Sequence, residues 1–473
     1  MSTDLTVPAR DGCALAATLT RPAGRGPWPA VVVRTPYDRG RLAGEAHGWA
    51  ARGFACLVLD VRGRYGSGGR FRPYTHEEDD GADVLDHART APWCDGRVLL
   101  AGASYGAHCA VRTALARPGD VAGVLVAVPA LGAGETVREP GGAARLACRA
   151  GWWAEHGGRR RSAPARPVDP TTLPLPDLLR PRPPGWAALW RAPRRDPALW
   201  PRLVTARPPL LAVGGTADPF AADTRELARA WGGPARLLLG PWGHGLDAPH
   251  PGRALAGRRV GEVYARWARA VLDDGAGGHR ELLAVDADGG WRHPRPHRRR
   301  IELRLADAAF TADPADPFPS APGGDHPGRA LLETVAPVRG ELHGSVGVEL
   351  DVTSEAPDAD WYARVWWATP TRRGVIGTAV RRTTPRGPVR LDTPPVGLVL
   401  PPDARLVVEV AGHHFPAHAR NPHTGADHAD ARTLRPDRRS VRAAALHLPL
   451  AAPAAGTVPA SAVPASVIEE TAA

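Results

Sequence analysis

The stretch Leu99-Leu100-Ala101-Gly102-Ala103-Ser104-Tyr105-Gly106 decides the fold of this chain. An apolar run ends in Gly-x-Ser-x-Gly, and an Ala-rich segment of helical character follows. Strand, sharp turn and helix form the context in which a nucleophile elbow exposes a serine hydroxyl. Glycine is needed on both sides of Ser104 because side chains there would collide across the turn. The alternative is a chance match in a Gly-rich chain, and the flanking patterns weigh against it.

Apolar runs and helical segments alternate on both sides of this turn. Before it come a hairpin with its turn at Asp11-Gly12 and two apolar runs at 29–33 and 54–60. Continuous apolar runs of this length are typical of parallel strands covered on both faces. After the turn the alternation continues to a helix over 258–273. The pattern predicts the α/β class, with a doubly wound sheet.

Two changes of pattern divide the chain. The α/β pattern fills 1–130 and resumes over 208–279; between them, 131–207 is rich in Pro, Arg and Trp and lacks sheet periodicity. We interpret this insertion as a partly helical cap over the site. From 280 to 450, short period-two strands separated by Pro and Gly predict an all-β sandwich or jelly roll. The Ala- and Pro-rich tail, 451–473, is expected to be disordered in large part.

Two strand ends downstream of Ser104 carry an acid and a base. Asp218 follows the apolar run at 210–213, and His244 follows the next run, at 236–239. Because the carboxyl ends of parallel strands meet at one edge of a sheet, we expect the three side chains to converge. Histidine can activate the weak serine nucleophile near neutral pH, and a carboxylate fixes the tautomer of the imidazole.

Each of these assignments has a competitor. Asp218 precedes Pro219 and could merely cap the helix that begins there. His250 is a second candidate base, but it lies in a Pro-rich loop, whereas His244 directly follows a strand. We therefore prefer His244.

An acyl-transfer site also needs donors for the oxyanion. The residue after the nucleophile supplies a backbone N–H, which here is that of Tyr105. Tyr37, at the end of the first core strand, offers a phenolic O–H. The alternative role for Tyr37 is that of a loop residue packed in place by Pro36.

Composition excludes several classes of protein. The chain has 473 residues, enough for two or three domains, and five widely spaced cysteines that we expect to be reduced. Its net charge of +11 comes from arginines, with no lysine, but they are scattered and no nucleic-acid-binding motif accompanies them. No apolar run reaches the roughly 18 residues of a membrane span, and no signal peptide is evident. We expect a cytoplasmic protein without nucleic-acid or membrane partners; a homodimer stays open.

Several segments together resemble one family, the cocaine esterase and X-prolyl dipeptidyl-peptidase group of serine hydrolases (the CocE/NonD type). The matching segments are 11–12 with 21–22, 34–37, 60–63, 102–106, 214–220 and 240–245, then Gly290-Trp291, Phe415-Pro416, Arg420-Asn421 and Thr424-Gly425. The resemblance implies an α/β-hydrolase domain, an inserted helical cap and a C-terminal jelly roll like galactose-binding modules. It also implies a triad of Ser104, Asp218 and His244, an oxyanion hole of Tyr37 and the Tyr105 N–H, and no cofactor.

The expected function is that of a serine esterase or acyl hydrolase that cleaves small esters or amides through an acyl-enzyme. Two alternatives stay open: an X-Pro dipeptidyl-peptidase or α-amino acid ester hydrolase (or acylase), and a catalytically degenerate protein that binds ligands through its β domain. Residues 131–205 carry thirteen arginines against six acids, which favours a neutral or anionic acyl group. We assign the substrate pocket to Trp152, Trp153, Glu155 and Phe220, with Glu155 as the best candidate to hold a substrate ammonium group.

Overall fold

A computed structural model describes residues 1–164, 166–246, 260–273, 280–284, 291–292, 296–321, 325–383 and 386–451. The predicted disordered tail beyond 451 and the competing base His250 lie outside these residues. None of the described helices has the length and hydropathy needed to cross a bilayer.

The first half of the chain forms a ten-stranded sheet. Its strands are β1 (Ser2–Pro8), β2 (Ala14–Thr20), β3 (Trp28–Thr35), β4 (Ala55–Asp60), β5 (Cys94–Ala103), β6 (Gly123–Ala127), β7 (Leu210–Gly215), β8 (Ala235–Gly240), β9 (Arg280–Ala284) and β10 (Trp291–Arg292). Their spatial order is β1-β2-β4-β3-β5-β6-β7-β8-β9-β10. The pairs from β4 to β9 are parallel, and β1, β2 and β10 add antiparallel edges. This confirms the predicted doubly wound class.

Helices cover both faces of this sheet. They are α1 (Ala43–Ala50), α2 (Glu77–Thr90), α3 (Tyr105–Ala116), α8 (Ala221–Ala230) and α9 (Val260–Asp273). Alternate residues of the parallel strands β3 to β8 enter two separate cores. Val32 and Leu100 pack with α2, α3 and α8, whereas Val31 and Leu99 pack with α1 and α9. Burial on both faces is the reason these strands are continuous apolar runs.

The insertion between β6 and β7 folds as short helices. They are α4 (Ala133–Val137), α5 (Ala147–His156), α6 (Trp186–Leu189) and α7 (Trp200–Leu203). Trp153, Trp186 and Trp190 are buried together at the centre of this cap, and Ala419 and Ala429 of the β domain join the same cluster. The cap therefore shares its core with the second half of the chain.

The second half is an all-antiparallel arrangement of two sheets that β11 connects. Its strands are β11 (Pro296–Asp307), β12 (Ala309–Ala312), β13 (Arg329–Thr334), β14 (Glu341–Gly344), β15 (Gly347–Ser354), β16 (Ala359–Ala368), β17 (Arg373–Thr383), β18 (Arg386–Asp392), β19 (Val396–Val399), β20 (Arg405–Ala411) and β21 (Asp437–Ala451). One sheet runs β17-β16-β20-β13-β11, and the other is built around β21. The period-two apolar residues of β15, such as Val348, Leu350 and Val352, all enter the core between them.

The first sheet extends beyond residue 280, where the sequence analysis begins the all-β domain. β9 pairs in parallel with β8, and β10 returns antiparallel to β9. The all-β strands therefore start at β11. A short apolar segment looks the same in the sequence whether it is the last strand of one sheet or the first strand of the next. Only the strand pairing shows to which sheet it belongs.

Candidate active site

Ser104 lies at the tip of β5 in a strained backbone conformation. Its φ and ψ are 53° and −119°, which L-residues rarely adopt. Its N–H donates to the Ala127 carbonyl at 2.9 Å, so the turn is pinned to β6. A Cβ on Gly102 would meet the Gly106 carbonyl oxygen at 2.3 Å. Glycine at 102 is therefore what allows α3 to start so close to the strand.

Ser104, His244 and Asp218 form a continuous hydrogen-bonded chain. The serine Oγ is 3.0 Å from Nε2 of His244, and Nδ1 of His244 is 2.9 Å from Oδ1 of Asp218. With Nδ1–H donating to the carboxylate, Nε2 is left to accept the serine proton. The structure thus brings together all three residues that the strand order places at one sheet edge.

The environments of the acid and the imidazole differ. Asp218 is 2% exposed, while the His244 side chain is 42% exposed. The loops after β7 and β8 lie against each other: Thr216 N–H donates to the Gly240 carbonyl and Ala217 N–H to that of Trp242. The acid is fixed inside the protein, and the imidazole faces the side from which a substrate can approach.

Tyr37 follows β3 at the same edge of the sheet. Its phenolic oxygen is 3.5 Å from the Ser104 Oγ, and it accepts a 3.0 Å hydrogen bond from the indole N–H of Trp152 on the cap helix α5. Tyr105 is the first residue of α3, where backbone N–H groups have no partner within the helix. Both oxyanion candidates thus lie beside the serine.

Behind the serine, the side chain of Tyr105 is buried against an acid. Its hydroxyl donates to Glu77 Oε1 and accepts from the Tyr74 N–H at 2.8 Å. Burial raises the pKa of the Glu77 carboxyl and raises that of the Tyr105 hydroxyl well above its usual value. The tyrosine side chain is thus held away from the substrate side, which leaves its backbone N–H for the site.

The four predicted pocket residues occupy different places. Phe220 packs edge-on against the His244 ring at 5.4 Å, and Trp152 lies almost parallel to the Tyr105 ring. Trp153, by contrast, is 2% exposed and belongs to the core of the cap, so its assignment to the pocket is corrected. Side chains of adjacent helical residues point about 100° apart, so Trp152 and Trp153 face different neighbours. Glu155 is partly exposed, with its carboxylate 3.6 Å from His156 Nε2.

Two further residues on α5, which the sequence patterns do not single out, lie next to the candidate site residues. His156 packs edge-on against Tyr37 at 5.1 Å, and burial, with Arg64 and Arg149 nearby, lowers its pKa to about 4. It therefore stays neutral beside Tyr37 near pH 7. The second is Arg149, whose guanidinium lies over the rings of Trp152 and Phe220. Residues 149, 152 and 156 are spaced three and four apart, which places them on one face of a helix. This spacing is visible in the sequence.

A metal site is not found in the described part of the chain, where no group of three or more His, Cys, Asp or Glu side chains could hold an ion. The side chains at this sheet edge can perform nucleophilic attack, proton transfer and hydrogen bonding to an oxyanion.

Comparison with known proteins points to one group. The family model of X-Pro dipeptidyl-peptidases (S15 family) matches residues 11–246, from the first hairpin to just beyond His244. The cocaine esterase of Rhodococcus sp. (strain MB1 Bresler) is 27% identical over 539 residues, covering 90% of this chain and 93% of that protein.

Solved structures share the fold over nearly the whole chain. An aminopeptidase from a marine sediment Thaumarchaeota archaeon superposes with a TM-score of 0.77 at 17% identity, covering 96% of each chain. An α-amino acid ester hydrolase gives 0.73 at 19% identity and covers 95% of this chain and 96% of its own. A CocE/NonD family hydrolase from Staphylococcus aureus gives 0.66 at 15% identity, covering 95% and 94%. Each of these matches covers at least 95% of this chain, so they show a common overall fold.

Proposed function

Since the chain is a serine hydrolase of the cocaine esterase and X-Pro dipeptidyl-peptidase type, we propose that it cleaves carboxylic esters through an acyl-enzyme on Ser104. One observation carries the proposal. The Ser104 Oγ, the two nitrogens of His244 and the Asp218 carboxylate are linked by consecutive hydrogen bonds of 3.0 and 2.9 Å. This geometry allows the proton of the serine to leave as its oxygen attacks.

Acylation follows from these positions. Nε2 of His244 takes the Ser104 proton while Oγ forms a bond to the ester carbonyl carbon. The Asp218 carboxylate stabilises the resulting imidazolium and does not take up its proton. The imidazolium then donates that proton to the departing alkoxide, leaving the acyl group on the serine. In deacylation, His244 takes a proton from water while the water oxygen attacks the acyl carbon. The bond between that carbon and the Ser104 Oγ breaks, the imidazolium returns the proton to Oγ, and the acid product leaves.

During both acylation and deacylation, two hydrogen-bond donors are needed to stabilise the negative charge that develops on the carbonyl oxygen. We assign them to the Tyr105 N–H and the Tyr37 O–H. The Tyr37 oxygen already accepts a hydrogen bond from Trp152, so its own proton is available to an acceptor beside Ser104. Fixed donors of this kind act where charge develops and favour the transition state over bound substrate.

A fluorophosphonate probe tests the proposal. Intact-protein mass spectrometry should find one adduct on the wild-type chain and none on Ser104→Ala, whose hydrolysis of phenyl acetate should fall by roughly 10⁶ in turnover. Ser67→Ala is the matched control, because Ser67 lies in a similar Gly-rich loop but is fully buried. An unlabelled wild type, or a Ser104→Ala variant that keeps more than about a tenth of the rate, would contradict the proposal and favour a binding protein.

Peptidase activity on X-Pro substrates is the second candidate, because the matching family model bears that name. Such a substrate carries an α-ammonium group that needs a carboxylate partner out of water. In the described part of the site, the charged groups over the rings of Trp152 and Phe220 are the arginines Arg145 and Arg149. We therefore propose that esters are preferred. A higher kcat/KM for Gly-Pro-p-nitroanilide than for phenyl acetate would reverse this order.

A further inference from the structure

Within the part of the chain that the structure describes, Arg149 is a buried cation without an acidic partner. It is 5% exposed, and its Nε and Nη1 atoms are sealed from solvent with no hydrogen-bond acceptor. Among the described residues no carboxylate forms an ion pair with it. Arg145, four residues earlier, is buried too but pairs with Glu139 at 2.8 Å and Asp223 at 3.3 Å. The cap can therefore neutralise a buried arginine, and at position 149 it does not.

The Arg149 guanidinium lies between the two sides of the catalytic centre. On one side it is 5.7 Å from the ring of Trp152, whose indole N–H donates to the Tyr37 hydroxyl. On the other it is 5.6 Å from the ring of Phe220, which packs against the His244 imidazole. One aromatic ring thus separates the cation from the candidate oxyanion donor, and another separates it from the base.

The described groups in contact with Arg149 do not supply a negative charge. The Tyr74 phenol interacts with it, but burial raises the pKa of that phenol to about 12, so it is neutral near pH 7. The Trp152 and Phe220 rings offer only cation–π attraction, which is weaker than a carboxylate contact. An arginine out of water that lacks a carboxylate is costly unless another molecule brings one.

We propose that Arg149 binds a carboxylate of the substrate, so that the enzyme favours esters with an anionic group a few bonds from the scissile carbonyl. This inference rests on the proposed function and names its substrate class. A guanidinium donates charge-assisted hydrogen bonds to a carboxylate, which fixes the substrate as well as attracting it.

Matched pairs of esters test this inference. Monomethyl glutarate and methyl pentanoate differ only in a carboxylate on the acid portion, and 4-acetoxybutanoate and butyl acetate differ in one on the alcohol portion. The wild type should show a roughly 10- to 100-fold higher kcat/KM for the anionic member of one pair. The pair that shows the preference identifies the portion of the substrate that Arg149 contacts.

The ratio of the two kcat/KM values is the readout, because it does not depend on the amount of active enzyme. Arg149→Gln should bring the ratio close to one, and Arg149→Lys should restore part of it. Arg160→Gln removes the same charge from an exposed position of the cap and should change the ratio by less than about threefold. Glutarate should also inhibit phenyl acetate hydrolysis at least about tenfold more strongly than pentanoate, and only while Arg149 is present.

Two outcomes would overturn the inference: a wild-type ratio near one for both pairs, or a preference that survives in Arg149→Gln. Either result would give Arg149 a structural role only, in which it packs between the rings of Trp152 and Phe220. Fluorophosphonate labelling of the same preparations separates this failure from failure of the proposed function. A labelled enzyme without anion preference refutes only the role of Arg149, whereas an unlabelled one refutes the esterase proposal itself.

Discussion

The indole N–H of Trp152 donates a 3.0 Å hydrogen bond to the phenolic oxygen of Tyr37, across 115 positions of sequence. The cap therefore orients a group that the α/β domain places beside Ser104. Because the Tyr37 oxygen accepts this bond, its proton is turned toward another acceptor. The cap thus holds the hydroxyl group that we propose as an oxyanion donor.

Tyr37→Phe should lower kcat for phenyl acetate by about 10²–10³, or roughly 3–4 kcal/mol, the usual effect of losing one oxyanion donor. KM should change less, because this hydrogen bond strengthens as charge develops on the carbonyl oxygen. Steady-state kinetics on purified protein measures both values. An unchanged kcat would mean that Tyr37 is not an oxyanion donor and is only a loop residue packed beside Pro36.

Trp152→Phe should lower kcat by about 3- to 10-fold, since it removes one hydrogen bond but keeps an aromatic ring over Tyr105. In a Tyr37→Phe background the same change should have less than about a twofold effect, because the acceptor is gone. Trp153→Phe is the matched control. It should reduce stability and show no coupling to Tyr37, because Trp153 lies in the cap core. Additive effects of the Trp152 and Tyr37 changes would contradict the link.

Gly102→Ala should destabilise the protein by at least about 2 kcal/mol, because the new methyl group would lie 2.3 Å from the Gly106 carbonyl oxygen. Gly151→Ala is the control on α5: nothing lies within 4 Å of its Cβ position, and helix propensity should make it neutral or slightly stabilising. Urea denaturation followed by fluorescence measures both. Equal stability of the two variants would mean that the elbow can relax around a side chain.

Acid should destabilise the fold partly through His108. Burial, with Arg112 nearby, lowers the pKa of its imidazole from 6.5 to about 3. Below pH 6.5 the unfolded chain therefore binds a proton that the folded chain excludes, so the free energy of unfolding falls as the pH falls from 6.5 toward 3. This amounts to about 2 kcal/mol at pH 5.

Urea titrations at pH 7 and pH 5 measure this effect. His108→Gln should flatten the loss of stability between the two values, while His47→Gln, which removes an exposed imidazole, should retain the wild-type slope. If His108→Gln loses as much stability as the wild type, acid acts through other groups.

A fragment that ends at Arg292, the last residue of β10, should be insoluble or inactive. The backbone between 144 and 147 pairs with 416–419 of the β domain, for example Leu146 N–H with the Ala417 carbonyl at 2.8 Å. Removal of the β domain would expose the shared apolar core and release α5 from its support. Expression, size-exclusion chromatography and phenyl acetate hydrolysis test this. A soluble fragment with wild-type activity would show that the β domain does not support the cap.

The features that sequence could predict are local or follow from strand order. Gly102, Ser104 and Gly106 lie within one turn, so their pattern alone indicates the elbow. Asp218 and His244 each follow an apolar run, and parallel strands necessarily bring such ends to one edge. The fold class was accessible for the same reason, since burial on both faces makes every core strand visible as an apolar run.

The remaining features depend on contacts between distant segments. Nothing in the sequence shows which of Trp152 and Trp153 faces Tyr37, because that depends on how α5 docks. That Arg149 has no carboxylate partner among the described residues is likewise invisible in a sequence whose strong bases are all arginines. The sequence also does not show that β9 belongs to the first sheet. A short strand is assigned to a sheet by its pairing with a neighbouring strand, and composition does not reveal that pairing.

Helix α5 carries Arg149 and Trp152 within a single turn. If one residue selects the substrate and the other prepares the oxyanion donor, then substrate preference and turnover are tied to the same rigid element. A mutation in the cap core that tilts this helix changes both properties together, even when it touches neither residue. During divergence of such enzymes, a lineage that adapts its cap to a new acid would have to recover its rate as well, through compensating changes around α5.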